Sequence, residues 1–283
     1  MSLDRNQAAR ELLAFYLEAG VDAVLGETAV DRFADTADLA PRTIIARPAE
    51  EALRAGEPQA GSRPALDRSR PPAMPAAPIP LPPDSAVMAA REEAKSAQTL
   101  DQLRSILDGF TGCTLRATAS RLVFADGNPQ ARVMFVGEAP GRDEDIEGLP
   151  FVGRSGKLLD RMMAAVGLTR ANAYIANIVP WRPPGNRTPT PQESAICLPF
   201  TLRQIELVDP DVLVCLGGPS AQTLLGSREG ILRTRGRWFA FQTGSREIRA
   251  TATLHPAYLL RQPLQKRLAW RDFLAIKKAL ASS

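Results

Sequence analysis

Gly137-Glu-Ala-Pro-Gly-Arg-Asp-Glu-Asp-Ile-Glu-Gly-Leu-Pro-Phe-Val-Gly-Arg-Ser-Gly156 is the stretch whose reading decides the fold. It follows Val133 to Val136, an apolar run of the length of one buried strand. It precedes Lys157 to Val166, where Leu158, Leu159, Met162, Met163 and Val166 recur at helical spacing. The chain therefore leaves a strand, passes through an acidic loop rimmed by Gly and Pro, and enters a helix. Loops at the carboxyl ends of strands in open α/β sheets are where ligands bind, and a helix start offers free backbone N–H groups. The loop is neither of the common phosphate cradles: Gly153-Arg-Ser-Gly-Lys-Leu158 lacks the P-loop spacing and hydroxyl, and no G-x-G-x-x-G is present. An acidic surface loop is the plain alternative. Against it stand Pro140 and Pro150, which stiffen the segment, and Phe151, which no amphipathic pattern explains.

Outward from this stretch, the C-terminal two thirds alternate strands and helices. Leu122–Phe124 and Arg132–Val136 read as strands around the turn Asp126-Gly-Asn-Pro129. Then come strand 173–179, helix 190–207, strand 211–216, helix 219–225, two neighbouring strands at 237–242 and 248–254, and a last helix at 265–280. A helix at 99–110 precedes them. The alternation predicts an α/β fold, three layers α/β/α around a mainly parallel central sheet. Towards the N-terminus, residues 1–35 hold an amphipathic helical segment with Ala9, Leu12, Leu13, Tyr16 and Leu17 on one stripe. Residues 36–95 read as a flexible linker: Pro41 to Pro83 contains 11 of the chain's 24 prolines, which build neither helix nor sheet ladders. Residues 96–283 are expected to form the folded α/β domain. A tethered amphipathic helix fits a docking peptide for a protein partner, and nothing in its residues names that partner.

Charge is divided unevenly. Residues 1–100 carry 11 Lys+Arg against 15 Asp+Glu, a net of −4, so residues 101–283 carry +8 of a total of +4. The basic charge belongs to the folded part, as a polyanion partner requires. No stretch has the length of a transmembrane helix, and an N-terminus bearing Asp4, Arg5 and Glu11 is not a signal peptide. Three widely spaced cysteines, Cys113, Cys197 and Cys215, suit a reducing compartment. A soluble cytoplasmic monomer with no membrane association is expected.

In a parallel sheet the segments after the strands converge on one edge. These are Gly137–Gly156, Asn177–Arg187, Gly217–Ser220 and His255–Pro263. His255 is the chain's only histidine; it ends a strand and opens a loop on the edge that holds the carboxylates. Asn177 ends a β-rich run, where its amide can satisfy turn backbone or read a base edge with one donor and one acceptor.

Gly137-Glu-Ala-Pro-Gly141 with Glu144-Asp145 and Pro150-Phe-Val-Gly153, Asn177 with Arg182-Pro-Pro-Gly-Asn-Arg187, and His255-Pro-Ala-Tyr-Leu-Leu-Arg261 together resemble the motifs of the uracil-DNA glycosylase superfamily. Among its branches, the family 4 enzymes of bacteria and archaea are most similar. The resemblance spans about residues 110–280 in order and spacing, and leaves out the first hundred residues.

The resemblance implies hydrolysis of the N-glycosidic bond of uracil in DNA, with the base flipped out of the duplex and an abasic site left behind. Phe151 would stack on the uracil, Asn177 would select it at N3–H and O4, and His255 with backbone N–H groups near Glu138 and Ala139 would hydrogen-bond O2. A carboxylate, Glu144 or Glu138, would stabilise the cation-like sugar and position the water, with Glu144 favoured. Asn186 is a further active-site polar group. Arg187, Leu259, Leu260 and Arg261 would contact DNA, the two leucines as a wedge; ordinary core packing is the alternative for that pair. Family 4 enzymes hold a 4Fe-4S cluster on four cysteines. Cys113 and Cys197 match two ligand positions, while Phe110 and Trp181 fall on the others, so no cofactor and no metal is expected here. A DNA- or uracil-binding protein of the same fold without catalysis is the alternative function; Glu144, Asn177 and His255 favour the enzyme.

Overall fold

The computed structural model describes residues 83–282. The expected segment 1–35, and the expected linker up to residue 82, lie outside the described residues. The end of that linker differs from expectation: Pro83–Ser96 is a helix, α1. Its buried side chains are Ala86, Ala90 and Ala94, one stripe at i, i+4 spacing. Alanine is the strongest helix former but a weak hydrophobic signal, so a run of it behind prolines is passed over by apolar pattern.

α2, Leu100–Gly109, follows, started by Thr99, whose hydroxyl accepts from Gln102 N–H. The expected strand at 122–124 is irregular backbone, held by the Val123 N–H to Pro180 O bond of 2.9 Å. The edge strand is instead β1, Asp126–Gly127. β2, Val133–Gly137, is buried throughout. The acidic loop after it holds a short helix that periodicity did not reveal, α3, Arg142–Glu147. Asp143, Glu144 and Asp145 occupy its first turn, where carboxylates favour a helix start. Gly148 at φ 76° ends it.

α4, Arg154–Ala164, leads to β3, Tyr174–Asn177, and then to α5, Pro191–Val208. β4, Val212–Leu216, α6, Gly218–Leu225, and α7, Ile231–Thr234, come next. β5, Trp238–Gln242, and β6, Glu247–Thr253, form an antiparallel hairpin. α8, Pro256–Arg261, and α9, Lys266–Ala281, complete the described chain.

The sheet order is β1-β3-β2-β4-β6-β5. The inner four strands are parallel and both edges antiparallel. Side chains alternate between two cores. Met134, Val136, Tyr174, Ala176, Leu213 and Cys215 face the core shared with α1, α2, α5 and α6. Val133, Phe135, Ile175, Val212 and Val214 face α4 and α9, where Phe135 stacks on Phe273 at 5.9 Å between centroids. α1 packs along α5, and Arg203 of α5 donates to Ala97 O at 3.0 and 2.7 Å, pinning the end of α1. β2 is followed by a neighbour on one side, β3, and then one on the other, β4. That reversal opens a crevice at the strands' carboxyl ends.

Candidate active site

A cavity of about 610 Å³ occupies this crevice. All four expected loops line it, through Glu138, Ala139, Glu144 and Phe151, through Asn177, Asn186 and Arg187, through Gly217 and Gly218, and through His255 and Arg261. Strand register places its floor. Gly137 and Asn177 are paired neighbours at the ends of β2 and β3. A Cβ on Gly137 would lie 2.4 Å from Asn177 Oδ1 and 2.7 Å from Phe151 Cζ, so glycine keeps open the space between amide and ring. The sequence shows this glycine only as a strand end; its need for emptiness is a tertiary fact.

Asn177 is 5% exposed. Among the described residues, its Oδ1 is the one buried side-chain polar atom without a hydrogen-bond partner. Buried polar atoms are paired in the great majority of cases, and an unmet acceptor beside a cavity calls for a ligand donor.

Phe151 is buried and its ring lies 5.5 Å from that of His255. Its backbone is left-handed, φ 56°, a conformation that costs an L-residue roughly 1–2 kcal/mol. Gly156 permits it: a Cβ there would sit 1.6 Å from Phe151 O.

His255 caps α8, its Nδ1 accepting from Ala257 N–H at 3.1 Å. The proton of the neutral ring therefore resides on Nε2. Burial, with the nearby Arg261 charge, pushes its pKa down to about 4, so the imidazole is neutral at physiological pH.

The carboxylates differ. Glu144 is buried and tied at both oxygens, Oε2 accepting from Gly141 N–H and Oε1 from Gly153 N–H, each at 3.1 Å. Burial pushes Glu138 above the usual carboxylate range. Asp145 turns away from the cavity and accepts from Ser120 and Arg121 N–H at 2.8 and 3.3 Å.

Other expected residues separate. Asn186, at φ 56°, borders the cavity and its Oδ1 accepts from Arg182 Nε at 2.7 Å. Arg187 is clamped to Glu193 by bonds of 2.8 and 2.7 Å, an internal bidentate pair that occupies the fork expected to face DNA. The leucine wedge is corrected by half. Leu259 is fully buried against Leu254 and Ala269, whereas Leu260 is 38% exposed. Successive helical positions face different directions, so only one of the pair can reach outward. Leu260 and Arg261 line an adjoining basin with Arg142 and Arg154.

A family model described as the uracil DNA glycosylase superfamily matches residues 124–274. The chain is 38% identical to the type-4 uracil-DNA glycosylase of Archaeoglobus fulgidus over 183 residues, 63% of this chain and 92% of the relative. It is 43% identical over 152 residues to that of Thermotoga maritima, 53% of this chain and 78% of the relative. It is 39% identical over 175 residues to that of Saccharolobus solfataricus, 60% of this chain and 81% of the relative.

These matches correct the expectation of no cofactor, because type-4 enzymes are the branch that carries a 4Fe-4S cluster. The residues at the place fit the group only in part. Cys113 and Cys197 bring their Sγ atoms to 3.9 Å. Phe110 and Trp181 are buried in the same apolar cluster, Phe110 edge-on to Phe200 at 5.0 Å. Two thiolates are fewer than the four a cluster takes. Cys215 is a core residue whose thiol burial pushes up to about 12. From the α/β sheet, the loops at its switch point and these matches, the chain belongs to the uracil DNA glycosylase superfamily.

Proposed function

We propose that this protein is a DNA-repair hydrolase that releases uracil from DNA, leaving an abasic site. The observation that carries the reading is Asn177 Oδ1, a buried acceptor with no partner at the floor of a cavity walled by an aromatic ring. Uracil presents N3–H and O4, a donor beside an acceptor, which matches the oxygen and the NH2 of one amide. Cytosine presents the reverse at both atoms and would leave the amide mismatched.

A base stacked in a duplex cannot reach such a floor, so the nucleotide is flipped into the cavity. The Phe151 ring accepts the base face. A neutral His255 with its proton on Nε2 donates to O2, where negative charge grows as the glycosidic bond breaks; a donor aimed at developing charge acts mainly in the transition state. The departing base leaves a cation-like sugar. Glu144 is assigned the anionic role, because two backbone N–H groups hold its carboxylate in place while each oxygen keeps a lone pair for water. Burial raises Glu138 above the usual carboxylate range, so it holds its charge less readily than an ordinary carboxylate. Leu260 fills the vacated stack, and Arg261 with Arg142 and Arg154 meets the phosphates. Since one chain supplies every loop of the cavity, action as a monomer is part of the proposal, as is work in the cytoplasm beside the DNA. No described helix is long and apolar enough to cross a membrane.

The test is release of uracil from a single-stranded oligonucleotide bearing one uracil, read as strand cleavage after alkali. Conversion of the uracil strand with a thymine control left intact is the expected result. DNA binding without uracil release would overturn the reading in favour of a non-catalytic binder.

A further inference from the structure

Arg170 lies in the turn between α4 and β3 and does not line the cavity. Its guanidinium nevertheless holds two successive carbonyls of the cavity wall. Nη1 donates to Pro150 O at 3.1 Å and Nη2 to Phe151 O at 2.5 Å. The same group is anchored from behind by Asp126 of β1 and, through Nε at 2.9 Å, by Asp160 of α4. The Phe151 backbone would not hold φ 56° on its own merits, since an aromatic residue rarely adopts that region. It persists where surroundings over-determine it. Gly156 gives the carbonyl room, and Arg170 fixes the direction in which it points.

We propose that Arg170 is the positioning residue of the stacking ring: it ties the Phe151 backbone to the sheet edge and to α4, so the ring stands over Asn177 before substrate arrives. The inference rests on the uracil reading of the cavity. A planar fork is needed, because one group must serve two carbonyls and two carboxylates at fixed angles; an ammonium keeps the charge without that geometry.

The experiment is a double-mutant cycle on kcat/KM for uracil release from a single strand, with thermal unfolding and inhibition by free uracil measured on every protein. Phe151→Ala should lower kcat/KM roughly 5- to 150-fold by loss of stacking. Arg170→Ala should lower it by no more than Phe151→Ala does, because only the placement of the ring is lost, and should weaken inhibition by free uracil. The combined Phe151→Ala/Arg170→Ala protein should match Phe151→Ala alone, because Arg170 then has no ring left to place. Should Arg170→Ala fail to fold, Arg170→Lys takes its place in the cycle: it keeps a cation between Asp126 and Asp160, and should lose activity and uracil affinity with little change in Tm. Losses that multiply in the double variant, or single variants that lower Tm while leaving uracil inhibition intact, overturn the proposal. Absence of uracil release by the unaltered protein would instead defeat the reading of the cavity itself.

Discussion

Gly137→Ala tests the base slot with the smallest change available. The residue sits in β2, outside the positive-φ region, so an alanine there is free of backbone strain. The added Cβ would meet Asn177 Oδ1 at 2.4 Å and Phe151 Cζ at 2.7 Å. Ordinary contact begins near 3.4 Å, so the amide must retreat by about 1 Å, a displacement that costs on the order of 100-fold when it separates recognising groups from the reacting base. Asn177 Oδ1 has no hydrogen bond to lose, so its retreat is cheap for the fold. Stability should fall by about 1 kcal/mol, the low end for one extra buried methyl. The assay is single-turnover uracil release from a single strand, run beside thermal unfolding. A wild-type rate with a wild-type Tm would refute the assignment of the gap between Asn177 and Phe151 to uracil.

His255→Ala removes one donor to developing charge and should lower turnover on the order of 100–1,000-fold with ground-state binding little changed, read by single-turnover kinetics. With its pKa pushed down to about 4 by burial and by Arg261, His255 stays neutral as pH falls through 6.5; protonation puts a proton on Nδ1 and breaks the Ala257 N–H bond that orients the ring, so the contribution of His255 to the rate should fall only as pH approaches 4, and a rate dependent on a histidine titrating near 6.5 would refute the neutral donor. Asn177→Asp replaces the amide donor with an oxygen that repels uracil O4, so uracil release should fall steeply while weak cytosine release appears, checked on strands carrying either base. Leu259→Ala should cost about 2–5 kcal/mol of stability, being a core truncation, whereas Leu260→Ala should leave Tm unchanged and slow release from duplex more than from single strand. Deleting residues 83–96 should lower Tm by exposing the face of α5 that α1 covers; an unchanged Tm would show that α1 does not stabilise the fold.

The inner strands were legible in the sequence because strands buried on both faces must be apolar throughout, as Val133–Val136 and Val212–Leu216 are. Asn177 and His255 stood out for a related reason: a polar residue closing such a run needs a purpose, and the parallel topology carries both to one edge. Local patterning failed where its signal was weak. The alanine stripe of α1 and the acidic turn of α3 lack the apolar period that marks a helix, and their identity comes from packing on α5 and from carboxylates at a helix start. Partners were beyond its reach altogether. Arg187 reads as a cation for DNA until the fold supplies Glu193, Leu259 reads as a wedge until α8 turns it inward, and Arg170 reads as a loop arginine until β1, α4 and the Phe151 carbonyl meet around it. Composition and spacing determine which surfaces must be buried and which residue types stand at strand ends. Only the tertiary structure decides which polar atoms find partners, and the buried side-chain atom left waiting among the described residues, Asn177 Oδ1, is the atom on which the reading of the cavity turns.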